Sequence, residues 1–234
     1  MRGVFVTGTD TGVGKTVVCG LLAAFLRSQG VRAVTQKWVE TGCAGEPSDL
    51  SVHRRLMGLP PAPPSSLPDL CPYRFSLPAS PHLAAAREGK SIEASVIEAA
   101  YGRLAASHDV VLVEGAGGFL VPLSEDLLAG DLAARLGLGA LVVVRNRLGC
   151  INHALLTVEA VRLRGIPLLG LVFNRPSEPD GGTPAGMLED NARAVGEVAR
   201  APVLGEVPFL PGIEGGREAF APTGRAILSR WRPG

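Results

Sequence analysis

Val4-Phe5-Val6, then Gly8-Thr9-Asp10-Thr11-Gly12-Val13-Gly14-Lys15-Thr16, then an amphipathic run opening at Val17, is the stretch that decides the fold. An apolar strand, a glycine loop ending in Gly-Lys-Thr and a helix together form the context of a phosphate-binding P-loop. The glycines let backbone N–H groups close around phosphate oxygens at a helix N-terminus, where the dipole supplies about half a positive charge. Lys15 is then placed to reach the β and γ phosphates, and the Thr16 hydroxyl to hold Mg²⁺. A nucleotide-binding protein is expected.

Outward from the loop, short apolar runs recur at Val4 to Val6, Ala33 to Val34, Val110 to Val113, Leu141 to Val144, Leu168 to Phe173 and Val203 to Val207. Runs such as Val110-Val111-Leu112-Val113 are apolar without alternation, which suits strands buried on both faces of a parallel sheet. Helical periodicity lies between them, with Ile92, Val96, Ala100 and Leu104 on one predicted face and Ile151, Ala154, Leu155, Val158 and Val161 on another. The alternation predicts an α/β fold: a three-layer, doubly wound, mainly parallel sheet with ligands at the carboxyl ends of its strands. Leu59 to Pro68 is proline-rich and reads as a surface excursion, and a last helix is expected from about Gly216 to Trp231, capping the nucleotide side.

At 234 residues with a net charge of +1 and no charged block, the chain reads as one P-loop domain, 1–234, without a nucleic-acid or membrane surface. No apolar run approaches the roughly twenty residues of a membrane span, and the first strand feeds the P-loop rather than a signal sequence, so a cytoplasmic protein is expected. Cys19, Cys43, Cys71 and Cys150 lack metal-type spacing and are expected as reduced thiols. The four histidines, His53, His82, His108 and His153, show no close pairing that predicts a metal centre.

Four segments behind the P-loop add chemistry. Lys37, in Gln36-Lys37-Trp38-Val39-Glu40-Thr41-Gly42, falls at the carboxyl end of the second strand, as either a cation for substrate anions or a surface lysine. Asp49 opens a predicted helix, where an N-cap is the simpler role. Glu114 ends the strand before Gly115-Ala116-Gly117-Gly118, a position that suits a carboxylate completing a Mg²⁺ shell. Leu148-Gly149-Cys150-Ile151-Asn152-His153-Ala154 opens another helix, whose free N–H groups are either a carboxylate site or a plain helix start.

In order and spacing, the segments Gly8 to Thr16, Lys37 to Gly42, Ser80 to Ala85, Val113 to Gly118 and Leu148 to Thr157 resemble the dethiobiotin synthetase family, and Asn174 and Val207 to Leu210 extend the match. The resemblance implies an ATP- and Mg²⁺-dependent ligase. It implies that 7,8-diaminopelargonate and CO2 form a carbamate, that the γ-phosphoryl group activates it, and that the second amine closes the ureido ring. An alkylamine with a pKa of about 10.4 is neutral only about one part in a thousand at pH 7.4, so cationic surroundings that favour the neutral amine fit the reaction. A carbamate beside a triphosphate needs countercharge, since two unit charges about 4 Å apart repel by roughly 4 kcal/mol at an effective dielectric of about 20.

By the resemblance, Thr16, Asp49 and Glu114 hold Mg²⁺. Lys15 serves phosphate, with Gly12, Val13, Gly14, Thr16 and Val17 around the nucleotide, and Asn174, Pro208 and Leu210 lie at the base. Lys37 and Thr41 meet the diamine and carbamate, with Gly117 also against substrate and Thr11 among the catalytic groups. The resemblance further implies a homodimer in which Gly149, Cys150, Ile151 and Asn152 capture the substrate carboxylate in the neighbouring subunit, Cys150 acting through its backbone. Two positions depart from the family: Gly12 stands where relatives often carry Glu, and Trp38 where proline is usual. The competing expectations are a ParA/MinD-like ATPase switch, which usually carries an extra lysine early in its P-loop, and a cobyrinate-diamide-type amidoligase, which needs a second domain to deliver ammonia. Gly8-Thr9-Asp10-Thr11-Gly12 lacks that lysine.

Overall fold

The computed structural model describes residues 3–43, 45, 47–175, 184–212 and 215–231. Its six-stranded sheet consists of β1 (Gly3–Gly8), β2 (Ala33–Lys37), β5 (Val110–Glu114), β6 (Gly139–Arg145), β7 (Leu168–Asn174) and β8 (Val203–Val207). Their spatial order is β2-β5-β1-β6-β7-β8, and every neighbouring pair is parallel. The chain leaves β1 toward β2 on one side and later returns to β6 on the other, so β1 is the switch point where such sheets open a crevice for ligands.

Burial on both faces explains the unalternating strand sequences. Val110 and Leu112 enter one core layer with α1 (Lys15–Ser28) and α9 (Gly216–Arg230), while Val111 and Val113 enter the other with α5 (Ala94–Ser107) and α7 (Cys150–Leu163). The three-layer expectation therefore holds. On α5 the buried face is Ile97, Ala100, Tyr101 and Leu104. Val96, assigned to that face from the sequence, is 44% exposed because the helix starts at Ala94 and its phase is set by Ile97.

The segment between α2 (Ser48–Met57) and β4 (Tyr73–Phe75) is less irregular than its prolines imply. A 3-10 turn at Pro64–Ser66 runs into α3 (Leu67–Leu70), with proline in each first turn, where its missing N–H is not needed. A separate parallel pair, β3 (Val39–Thr41) with β4, was not expected. α4 (Pro81–Arg87), α6 (Ala129–Arg135) and α8 (Ala185–Ala199) complete the described helices. The last helix spans nearly the expected residues and packs on α1 and β8. Among the described residues, no helix is long and apolar enough to cross a membrane.

Trp38 joins β2 to β3 and is 1% exposed. Its ring stacks on Phe5 with centroids 5.0 Å apart, and its Nε1 donates to Gln36 Oε1 at 3.2 Å. Gln36 Nε2 in turn donates to the Asp69 carbonyl at 2.9 Å. The residue after Lys37 is thus an anchored core aromatic with a satisfied indole N–H. Trp38→Ala is expected to destabilise the protein by about 3–5 kcal/mol, seen as a lower urea midpoint with an unchanged slope.

Candidate active site

The crevice at the carboxyl ends of β1, β2 and β5 is a cavity of about 410 Å³. Thr11, Gly12, Gly14, Lys15, Thr16, Val17, Lys37, Thr41, Asp49, Glu114 and Gly117, all singled out from the sequence, line it. The P-loop conformation depends on its glycines: Gly12 and Gly14 have φ of 71° and 96°, the left-handed region that side chains avoid. A Cβ at Gly12 would meet nothing within 4 Å, so the position is open space. Lys15 Nζ donates to the Asp10 carbonyl at 2.9 Å, across the loop.

Lys37 and Glu114 end adjacent parallel strands and are register partners. The Lys37 ammonium donates to Glu114 Oε1 at 2.9 Å and lies 2.7 Å from Asp49 Oδ2, with its side chain only 5% exposed. The surface-lysine alternative is thereby removed. Asp49 does not cap its own helix; it faces Lys37 and the Thr16 hydroxyl, 3.1 Å away. Thr16 Oγ1 is also 2.9 Å from Glu114 Oε1, and with one hydrogen it donates to one carboxylate at a time.

Burial opposes the charge on Lys37, but Glu114 and Asp49 outweigh it and hold the ammonium above the ordinary lysine range. Burial likewise opposes ionisation of Glu114, and Lys37, with a smaller contribution from His53, outweighs it and holds the carboxyl well below the usual range. Lys15 is pushed down to about 8, first by burial and then by the nearby Lys37 charge. The two lysines therefore differ: one is locked as a cation, the other responds to what enters the site.

Two carboxylates and a hydroxyl converge at Asp49, Glu114 and Thr16. Among the described residues no trio of His, Cys, Asp or Glu forms a metal cage. A set of three oxygen groups fits a hard cation that takes its remaining ligands from phosphate and water, as Mg²⁺ does beside triphosphates.

Two buried residues that sequence reasoning missed hold this arrangement. Glu40 caps α2 from β3: its Oε1 accepts from Ser48 Oγ at 2.8 Å and from the backbone N–H groups of Ser48 and Asp49 at 2.5 and 3.2 Å. Burial raises its carboxyl above the ordinary value. His53, fully buried one turn beyond Asp49, places Nε2 2.9 Å from Glu114 Oε2. The only sequence signal for either was an acid just ahead of a serine-led helix, and a histidine four residues after the predicted acid.

Asn174, at the end of β7, is 3% exposed and donates from Nδ2 to the Val13 carbonyl at 2.8 Å, bracing the P-loop from behind. Pro208 and Leu210 follow β8 farther along the same sheet edge. Gly149, Cys150, Ile151 and Asn152 are not brought into the cavity; Gly149, with φ of 87°, caps α7 beyond β6. Cys150 is buried, and burial raises its thiol pKa, which disfavours a nucleophilic role. A second hollow of about 490 Å³ shares Thr11, Thr41 and Gly117 with the first and extends along Pro78, Ser80, Pro81 and Val121.

A family described as an AAA domain matches residues 2–217. Solved structures with a similar fold include the cell division ATPase MinD of Pyrococcus furiosus, with a TM-score of 0.59 at 17% identity over 97% of this chain and 98% of that one. The MinC:MinD complex of Aquifex aeolicus gives 0.63 at 13% identity over 98% and 96%. These show the P-loop NTPase fold alone. The ATP-dependent dethiobiotin synthetase of Anaeromyxobacter dehalogenans strain 2CP-C is 45% identical over 91% of this chain and 92% of its own. That of Chlorobaculum tepidum is 47% identical over 75% and 73%. Identity this high across most of both chains far exceeds what the shared fold retains in MinD: this chain belongs to the dethiobiotin synthetase family.

Proposed function

We propose that this chain carboxylates 7,8-diaminopelargonate with CO2 at the expense of MgATP and closes the product to dethiobiotin, releasing ADP and phosphate. The observation that carries this reading is the buried Lys37 ammonium, set 2.7 and 2.9 Å from Asp49 and Glu114 on the wall that also holds Lys15. A locked cation beside a phosphate loop discourages protonation of a neighbouring amine and then offsets the charge of the carbamate. Lys15 holds phosphate oxygens, so the two anions approach between two positive groups. Bound Mg²⁺, held by Thr16, Asp49 and Glu114, would supply further neutralisation of the phosphoryl group. No side-chain nucleophile is needed; positioning and electrostatics suffice.

The hollow running past Pro78, Ser80 and Val121 gives the apolar chain of the diamine a path away from Lys37. The α7 N-terminus lies outside the cavity, which fits capture of the remote carboxylate by a neighbouring subunit in a homodimer. Leu148, Leu156 and Leu163, on and just ahead of α7, are 80%, 56% and 85% exposed, apolar area that such an interface would cover. In the nucleotide subsite, Asn174, Pro208 and Leu210 meet the base.

The direct test supplies ATP, Mg²⁺, bicarbonate and diaminopelargonate and detects dethiobiotin by mass. ATP hydrolysis without dethiobiotin would instead favour the switch-ATPase alternative. The dimer has its own test: Lys15→Ala and Asn152→Trp chains, each inactive alone, are expected to recover about one working site per heterodimer when mixed. No recovery, with subunit exchange confirmed by native mass spectrometry, would place the whole site within one subunit.

A further inference from the structure

The two oxygens of Glu114 have different neighbours. Oε1 accepts from Lys37 Nζ and from the Thr16 hydroxyl, both at 2.9 Å. Oε2 faces His53, whose Nε2 is 2.9 Å away; the His53 and Glu114 side chains are 0% and 1% exposed. Although the two atoms are close, no hydrogen bond joins them: among the described residues His53 Nδ1 and Nε2 and Glu114 Oε2 are all buried without a hydrogen-bond partner. Native proteins rarely bury such groups without a use for them, and a leucine would fill the same space with no polar cost. An ionised carboxylate only accepts, so a hydrogen bond that closes this contact takes its hydrogen from Nε2.

The approach of α2 to α1 is also specific. A Cβ at Gly20 would stand 3.1 Å from His53 Cα and 2.7 Å from Leu56 Cδ1, so a larger residue on α1 would push His53 away from Glu114. Asp49 and His53 are four residues apart and lie on one face of α2. One helix therefore presents a carboxylate to the front of the site and an imidazole to the back of the other carboxylate.

We propose that His53 is a positioning residue that fixes Glu114 Oε2, and so presents Oε1 to the cation held with Thr16 and Asp49. The proposal rests on the assignment of Glu114 to Mg²⁺. Groups behind a ligating carboxylate commonly change metal affinity by about 10- to 100-fold when removed. His53 acts in that way, without touching substrate or nucleotide.

The test uses Mn²⁺, followed by its EPR signal, titrated into the full chain with saturating ADP. His53→Leu is expected to weaken Mn²⁺ binding by about tenfold or more, whereas His53→Gln, whose amide keeps a donor for Oε2, stays within about threefold of wild type. Both variants keep the wild-type ADP affinity in EDTA and the wild-type melting temperature. In turnover, His53→Leu raises the Mg²⁺ concentration for half activation and leaves KM for the diamine unchanged. Wild-type Mn²⁺ affinity in His53→Leu overturns the positioning role. Equal losses in both variants, accompanied by a lower melting temperature, overturn it in favour of packing. Glu114→Gln separates the premises: if it binds Mn²⁺ as wild type does, the Mg²⁺ assignment falls and takes the proposal with it.

Discussion

Lys37→Ala is expected to lower kcat by about a hundred- to a thousandfold while ADP affinity stays within about threefold of wild type. Lys37 ends β2 in register with Glu114, and its ammonium is bound to two carboxylates rather than extended toward the P-loop. In the proposed reaction it is the preorganised countercharge for the carbamate, whereas Lys15 serves the phosphates. The substitution also leaves Asp49 and Glu114 without their shared cation. Breaking a buried pair costs about 3–5 kcal/mol, and the partial exposure of Asp49 moves the expectation to the lower end. Mg²⁺ should then raise the melting temperature of Lys37→Ala more than that of wild type, because a divalent ion can stand between the same two carboxylates. A normal kcat would remove Lys37 from the chemistry. A collapse of ADP affinity would mean that it serves mainly the nucleotide.

The sequence carried those features that a few consecutive residues determine. Val4 to Thr16 contains its strand, its turn glycines and its helix start, and Val110 to Glu114 contains both its double burial and its terminal acid. The short parallel pair β3 and β4 escaped because three residues are too few to show a period. The α5 face was misphased at Val96 because the helix starts later than its apolar residues imply. Asp49 illustrates a different limit. As an acid in a first helical turn it had a sufficient local role, and only the long-range cap from Glu40, which frees it to face Lys37, decides otherwise. His53 is the same case: nothing near it in the chain predicts the carboxylate at the end of β5 that meets it.

Trp38 and Gly12, the two positions where the resemblance leads one to expect proline and glutamate, differ in consequence. The Trp38 ring is held against Phe5 and its N–H is held by Gln36, so the segment carrying Lys37 is fixed without a proline. Gly12 leaves open space where the resemblance leads one to expect a carboxylate. A carboxylate there would offset part of the positive charge of Lys15 and Lys37. Its absence leaves the front of the site more cationic, which suits binding of anions more than binding of a protonated diamine.

Gly14→Ala is expected to weaken nucleotide binding by about a hundredfold, an effect of about 3 kcal/mol, through a residue that touches no base. At φ of 96° an L side chain costs about 1–2 kcal/mol, and the new Cβ would fall 1.9 Å from Asn174 Nδ2. Asn174 is almost fully buried and has little room to retreat, so the clash would break its bond to the Val13 carbonyl and distort the loop that wraps the phosphates. Asn174→Ala alone should cost about tenfold, the value of its hydrogen bond to the Val13 carbonyl together with the proposed base contact. In the double variant the clash is gone, while the backbone strain and the loss of the Asn174 contacts remain. The combined loss should therefore be smaller than the sum of the separate losses by about 1 kcal/mol or more, a coupling expected only for groups in contact. Calorimetric titration of ADP into the four proteins measures it. Strict additivity would show that Asn174 yields freely, and that the Gly14 requirement is purely conformational.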